Sequence, residues 1–181
     1  MHSHKDMEII TYIRKGAISH EDSLGNKGAT RSGEIQIMSA GTGITHSEHN
    51  LEDEETLLFQ IWIQPNKNNI QPRWENIDIH LETKSGMHPL ASGEKKFKSS
   101  QILKIHQDVT LYVMNGDIND NFKYELEPDR HIYLVVSKGS MKINALQANE
   151  RDGVRIIDEK NLNFIFRGDS ELIILDLPNI T

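Results

Sequence analysis

Residues 33–50 read GEIQIMSAGTGITHSEHN, an alternating apolar segment followed by a glycine-rich turn and then an extended segment that carries His46 and Glu48. Successive side chains of a strand point to opposite faces, so residues two positions apart share one face. The chain starts with a second pair of the same spacing, His2 and His4. If the two segments lie side by side, four imidazole and carboxylate groups can converge on one metal ion.

The rest of the chain repeats the period of two. No long stretch shows the apolar stripe of an amphipathic helix. Short segments rich in Ile, Val, Leu and aromatic residues are instead separated by turns that contain glycine, which predicts an all-β barrel or sandwich. The predicted strands are residues 7–14, 17–21, 34–38, 57–63, 131–137, 141–145, 154–158, 162–166 and 172–177.

A weak internal repeat predicts two units of the same kind. Residues 12–18, YIRKGAI, resemble residues 135–141, VVSKGSM, and the later RSG at 31–33 resembles RDG at 151–153. Projecting His46 and Glu48 onto the second copy leads to residues 164–168, which offer no ligand. Any metal site is therefore expected in the first half of the chain.

A segment rich in proline, asparagine and glutamine separates the two predicted units. It covers residues 64–74 and includes Pro65 and Pro72, residues that interrupt regular structure. We therefore predict an N-terminal, metal-bearing unit at 1–75 and a C-terminal unit without metal at 76–181.

Composition indicates the cellular compartment and excludes several classes of partner. The 181 residues include no cysteine, so disulfides, thiolate zinc sites and a cysteine nucleophile are excluded, and the chain suits a reducing cytoplasm. The formal net charge is −7 and the basic residues are scattered, which predicts no direct nucleic-acid partner. The longest apolar runs fall far short of the roughly 20 residues that span a bilayer, so no membrane segment is predicted.

Four segments together resemble the pirin family of two-domain cupins, and more closely its bacterial members associated with quercetin 2,3-dioxygenase activity. They are HSHKDMEIITYI at 2–13, HEDSLGN at 20–26, GEIQIMSAGTGITHSEHN at 33–50 and FQIWIQP at 59–65. The resemblance extends over essentially the whole chain. It implies two cupin barrels of the double-stranded β-helix, or jelly-roll, type in tandem, with a metal only in the first.

The resemblance also implies a ligand set and a reaction. His2, His4, His46 and Glu48 would hold one divalent transition metal, with Fe(II) preferred and Mn, Ni, Co, Cu or Zn possible, since imidazole suits all of these ions and one carboxylate favours iron or manganese. A flavonol such as quercetin and O₂ would be the substrates. Glu48 is the candidate catalytic base, because a hydroxyl of the flavonol must lose its proton.

Two alternatives remain open at this level. Glu8 follows His4 at the spacing that general cupins use for a third ligand on one strand, so it competes with Glu48, which the family pattern favours. The second alternative concerns function: the chain could be a non-catalytic, pirin-like regulatory protein that binds a metal and a protein partner. Relative to the family, the first barrel is expected to lack its opening strands, and self-association could cover that gap.

Other residues of interest have ordinary explanations. Met7, Met38, Phe59 and Trp62 could line a flavonol pocket, but filling a barrel core explains them equally well. The remaining histidines are expected to be structural or exposed; they are His20, His49, His80, His88, His106 and His131.

Overall fold

The protein is built almost entirely from antiparallel strands. The computed structural model describes residues 1–79, 85–98 and 100–179, and within them a 3₁₀ turn, Lys95–Phe97, is the one helical element. The predicted all-β class is confirmed. The strands are β1 His2–His4, β2 Glu8–Lys15, β3 Ala17–Asp22, β4 Lys27–Arg31, β5 Glu34–Ser39, β6 Ile44–His49, β7 Leu57–Ile63, β8 Arg73–Asp78, β9 Gly86–Ser92, β10 Leu103–Lys104, β11 Thr110–Gly116, β12 Asn121–Glu125, β13 Arg130–Lys138, β14 Ser140–Ile143, β15 Leu146–Asn149, β16 Gly153–Ile156, β17 Asn161–Phe166 and β18 Ser170–Pro178.

The chain divides into two compact units. The first comprises residues 1–81 together with 99–107, and the second comprises 82–98 together with 108–181. The division predicted between residues 75 and 76 falls inside β8, which pairs with β5 from Arg73 to Asp78. The predicted linker at 64–74 likewise ends inside that strand, so β8 belongs to the first unit. Within the described part of the chain, no helix is long and apolar enough to cross a membrane.

The first unit consists of two four-stranded sheets. One has the order β7-β2-β5-β8 and the other has the order β1-β6-β3-β4. An apolar cluster of Ile9, Met38, Ala40 and Ile44 is buried in this unit. Much of the inner face of the second sheet is polar, as described below.

The second unit repeats this plan around a large apolar cluster. Its sheets contain the orders β9-β11-β18-β13-β16 and β12-β17-β14-β15. The central strand β11 was not among the predicted strands. Its first five residues, Thr110 to Met114, are all buried, so both faces are covered and the alternation used for prediction is lost.

The internal repeat is confirmed by corresponding irregularities in the two units. The register between β2 and β7 shifts between Ile13 and Lys15, and Gly16 follows with φ of 70°. The register between β13 and β18 shifts between Val136 and Lys138, and Gly139 follows with φ of 74°. Each β-bulge turns the chain from one sheet into the other, so β2–β3 and β13–β14 are equivalent corners.

Candidate metal centre

The candidate centre lies on one face of the sheet β1-β6-β3-β4. Residues directly opposite each other on paired strands share a face, and His46 is opposite both His2 on β1 and Asp22 on β3. Two positions further along β6, Glu48 is opposite His20. The period of two therefore brings the side chains of three strands together on one surface.

Three imidazoles meet at this surface. One ring nitrogen each from His2, His4 and His46 lies within 4.8 Å of the others, and Nε2 of His46 is 3.1 Å from Nε2 of His2. Nε2 of His4 is buried and has no hydrogen-bond partner. A buried polar atom without a partner is unfavourable unless something else satisfies it, and nitrogen ligands at this spacing suit a transition metal. The imidazoles that the sequence predicted to converge are therefore close together, and metal binding by them stays a prediction.

The surroundings lower the pKa of two of these rings, His46 and His4. Burial, followed by the neighbouring His2, His20 and His4, lowers the pKa of His46 from 6.5 to about 4, and Asp22 opposes the shift. Burial and the charge of His2 also lower the pKa of His4, which Glu48 opposes. Metal ions bind the unprotonated imidazole, so at neutral pH His46 needs to lose no proton before it binds.

Glu48 lies beside the imidazoles and is held by two amides. Nε2 of Gln36 donates to Oε1 at 2.6 Å and Nε2 of Gln60 donates to Oε2 at 2.7 Å. One carboxylate oxygen also lies within 4.8 Å of ring nitrogens of His20 and His46, in a second group that shares His46 with the three imidazoles. The structure thus places Glu48 next to the cluster with both oxygens oriented, and its role as a ligand remains a prediction.

Glu8, the alternative ligand, is engaged elsewhere. It is fully buried on β2, accepts a hydrogen bond from Oγ of Ser39 at 2.8 Å and lies 3.1 Å from Nδ1 of His106. Neither group of potential ligands among the described residues includes it. The matching parity of Glu8 and His4 did not bring them to one site, because the chain turns between them at Asp6, whose φ is 47°.

His20 is a site residue that the sequence analysis left among the structural or exposed histidines. It is buried, its Nε2 lies 3.0 Å from Oδ2 of Asp22 and its Nδ1 lies 3.4 Å from Nδ1 of His46. Its ring stacks on Trp74 with 4.9 Å between centroids and 8° between planes. His20 and Asp22 have the same parity within HEDSLGN, and that shared parity is the sequence signal that could have identified His20.

Of the other residues that the sequence singled out, some lie away from the imidazole cluster and one contacts it. His49 is exposed on the opposite face of β6, in agreement with the expectation of a structural or exposed histidine, and His80 lies outside the described residues. Among the pocket candidates, Met38 is buried in the core. Trp62 is 54% exposed and meets the ring of His4 edge to face, with 5.0 Å between centroids. It is the one aromatic candidate that is both accessible and in contact with the imidazole cluster.

Comparison with known proteins agrees with this fold and geometry. The model of the family described as Pirin matches residues 1–63, and the model described as Quercetinase C-terminal cupin domain matches residues 90–177. A Pseudomonas aeruginosa relative is 44% identical over 177 residues, which is 97% of this chain and 75% of its own length. Quercetin 2,3-dioxygenase of Escherichia coli strain K12 is 40% identical over 180 residues, 99% of this chain and 76% of its own length.

Solved structures show the same similarity. The crystal structure of YhhW from Escherichia coli superposes with a TM-score of 0.91 at 39% identity, covering 99% of this chain and 75% of that one. A second crystal structure describes the bacterial pirin YhhW in complex with nickel(II), with a TM-score of 0.90. The fold and the imidazole cluster therefore define a two-unit cupin. More specifically, the chain belongs to the pirin family, and the relatives named as quercetin 2,3-dioxygenases bear out the expectation of an enzyme.

Proposed function

We propose that this pirin is a metal-dependent dioxygenase that opens the ring of a flavonol such as quercetin with O₂. The observation that carries the proposal is the meeting of His2, His4 and His46, with an unpartnered buried nitrogen on His4, next to the oriented carboxylate of Glu48. The relatives named as quercetin 2,3-dioxygenases support the choice of reaction.

The donor set fits one divalent transition metal. His2, His4 and His46 would hold the ion, with Glu48 as a fourth ligand, and the bound ion would supply electron transfer between substrate and O₂ at its open positions. Fe(II) is our preferred ion because redox chemistry with O₂ and a carboxylate ligand both suit iron. Nickel(II) is the first ion to compare with it, since the pirin YhhW has been crystallised with nickel.

Residues of the chain would hold and activate the substrate. Glu48 takes the proton of a flavonol hydroxyl, while the amides of Gln36 and Gln60 align its two oxygens. The exposed ring of Trp62, which contacts His4, offers a flat apolar surface to a flat aromatic substrate. Both substrates would thus meet on the face that the imidazoles line.

The test is O₂ uptake on quercetin by the full chain loaded separately with Fe(II) and with Ni(II), with the bound metal quantified. Glu48→Gln should retain metal through the three imidazoles and lose about 10²–10⁴-fold in kcat, as expected for a missing base. His49→Gln introduces the same residue on the exposed face of the same strand and should leave both quantities unchanged. Full turnover by Glu48→Gln at normal metal content would remove Glu48 from the mechanism.

Failure of the loaded wild-type chain to consume O₂ with quercetin would instead favour a non-catalytic, metal-binding regulatory protein. The remaining sequence-based expectations belong to the same proposal: a cytoplasmic location, no nucleic-acid partner and self-association. Cell fractionation, binding to labelled DNA and sedimentation of the purified chain measure each of them directly.

A further inference from the structure

We infer that Asp22 and His20 act as positioning residues that fix the ring protons of His46, so that its Nε2 reaches the metal centre without a proton. The inference concerns hydrogen bonds inside the first unit and rests on the proposed metal site for its functional meaning. Its chain of contacts runs from Asp22 through His20 to His46.

The chain of hydrogen bonds starts at Asp22, whose ionised carboxylate can only accept hydrogen bonds. Its Oδ1 accepts from the backbone N–H groups of Leu24 at 2.9 Å and Asn26 at 3.1 Å. Its Oδ2 accepts from Nδ2 of Asn26 at 2.9 Å and faces Nε2 of His20 at 3.0 Å. Burial would raise the pKa of Asp22, but the hydrogen bonds from His20, Asn26 and Leu24 outweigh it and lower the pKa below its usual value. An ionised carboxylate has no proton to give, so Nε2 of His20 carries the proton of this contact.

His20 transmits this constraint to His46. In a neutral imidazole one nitrogen donates and the other accepts, so a proton on Nε2 leaves Nδ1 of His20 as an acceptor. The 3.4 Å contact with Nδ1 of His46 is then satisfied only if His46 donates from Nδ1. Nε2 of His46 is left without a proton, and it is this atom that lies 3.1 Å from Nε2 of His2 within the imidazole group.

Packing holds the ring of His20 in the required orientation. Its side chain is completely buried, and the indole of Trp74 stacks on it almost in parallel. Nε1 of Trp74 donates to Oε1 of Gln36 at 3.2 Å, and Gln36 in turn donates to Glu48. Partners outside the ligand shell that fix a ligand's tautomer typically change metal affinity by about 10–100-fold when they are mutated.

The same contacts argue against His20 as a ligand of its own ion. Ring nitrogens of His20 and His46 and one oxygen of Glu48 lie within 4.8 Å of one another, so the three could in principle surround a cation. Both ring nitrogens of His20 already have partners, because Nε2 faces Asp22 and Nδ1 faces Nδ1 of His46. The hydrogen-bonded chain accounts for this group without an ion.

The experiment reads the tautomers in the metal-free, ¹⁵N-labelled full chain by long-range ¹H–¹⁵N spectra at pH 7.5. We expect the proton on Nε2 of His20 and on Nδ1 of His46. In Asp22→Asn, the side-chain carbonyl should keep the two backbone donors and the NH₂ group should face His20. Both tautomers then reverse, the proton of His46 moves to Nε2, and Ni(II) affinity in a competition with a chromophoric chelator falls about 10–100-fold.

Two further variants keep the result decisive. Glu21→Gln removes a carboxylate one position away, on the other face of β3, and should change neither tautomers nor affinity. His20→Phe keeps an aromatic ring against Trp74 but removes both hydrogen bonds, so His46 should populate both tautomers. If Asp22→Asn does not fold, the wild-type spectrum still decides the proton positions.

Several results would overturn the inference: a proton on Nε2 of His46 in the wild-type chain, a doubly protonated His20, unchanged tautomers in Asp22→Asn, or unchanged Ni(II) affinity in a folded Asp22→Asn whose tautomers have reversed. None of these measurements needs turnover. A loaded chain that binds Ni(II) as expected but leaves quercetin intact would therefore reject the proposed dioxygenase while the positioning role stands.

Discussion

The two units share one backbone plan but fill the equivalent sheet face with opposite chemistry. If Gly16 and Gly139 are superposed, His20 corresponds to Ile143. Glu48 is opposite His20 in the first unit and Phe164 is opposite Ile143 in the second, so Glu48 corresponds to Phe164. By the same register His46 corresponds to Leu162 and His2 to Tyr124. Ring nitrogens and a carboxylate in the first unit thus occupy positions that apolar or aromatic side chains occupy in the second.

The difference shows that this fold does not require its metal site. In the second unit Ile143, Leu162 and Phe164 are at most 3% exposed and belong to one large apolar cluster. Burial of that size stabilises a unit by itself, at about 25 cal/mol per Å² of apolar surface. In the first unit the corresponding space contains polar groups that need partners, so its stability depends on their hydrogen bonds and protonation.

The largest expected effect comes from making the first unit resemble the second. His46→Leu introduces the residue found at the equivalent position, so the fold should persist while the central ligand is lost. We expect Ni(II) affinity to fall by more than the roughly 100-fold that changes outside the ligand shell produce, and O₂ uptake on quercetin to fall to background. Calorimetric metal titration and oxygen consumption measure the two effects.

His49→Leu is the matched control for this comparison, because it makes the same change on the exposed face of β6. It should leave metal affinity and turnover as they are. Retention of tight metal binding by His46→Leu would contradict the assignment of the centre to the three imidazoles.

The sequence predicted the strands that follow a local rule, and it predicted which candidate ligands share a face. A period of two was sufficient for β2, β3 and β7, and for the shared faces of His2 with His4 and of His46 with Glu48. It failed for β11, because burial on both faces removes the alternation, and for Glu8, because a left-handed residue at Asp6 changes the direction of the chain.

Contacts that depend on strand pairing could not be predicted in this way. Gln36 and Gln60 come from the opposing sheet, and Trp74 comes from a segment that was expected to be a linker. Each reaches the site only because the sheet β7-β2-β5-β8 packs against the sheet that contains β3 and β6. The partners that orient Glu48 and His20 therefore follow from tertiary structure and not from spacing.

The second prediction concerns a variant of the second unit that carries a buried carboxylate like the one in the first unit. Phe164→Glu places a carboxylate at the position equivalent to Glu48, where the surroundings are apolar and Phe164 is 1% exposed. A buried charge without partners destabilises strongly, and we expect a loss of about 3–5 kcal/mol in the free energy of unfolding. Urea denaturation followed by circular dichroism measures it. Phe164→Leu, which stays apolar, should lose much less, and equal losses would show that volume and not charge decides.

The third prediction uses pH to distinguish the units. The folded pKa of His46 is about 4 against 6.5 for the ordinary side chain, so between these values the unfolded chain binds more protons than the folded chain. The free energy of unfolding of the metal-free protein should therefore fall as the pH is lowered from 6.5 towards 4, by up to roughly 3 kcal/mol from this residue. His46→Leu should flatten that part of the profile. An unchanged slope in the variant would show that other groups cause the loss.

The smallest effects test what the units have in common. Gly16 and Gly139 both have positive φ, and a Cβ would lie 2.8 Å from the carbonyl oxygen of Glu55 at the first position and 2.6 Å from that of Asp169 at the second. Alanine at either position should reduce the free energy of unfolding by about 1–2 kcal/mol for the left-handed backbone, and by more where the contact cannot relax. Gly25→Ala, with φ of 88° and no atom within 4 Å, isolates the backbone contribution.

If both corner variants lose more stability than Gly25→Ala in the same denaturation assay, while their Ni(II) affinity is unchanged, the bulge performs the same structural task in each unit. A Gly139→Ala variant no less stable than Gly25→Ala would break that equivalence, because the corner of the second unit would then tolerate a side chain that the first unit excludes.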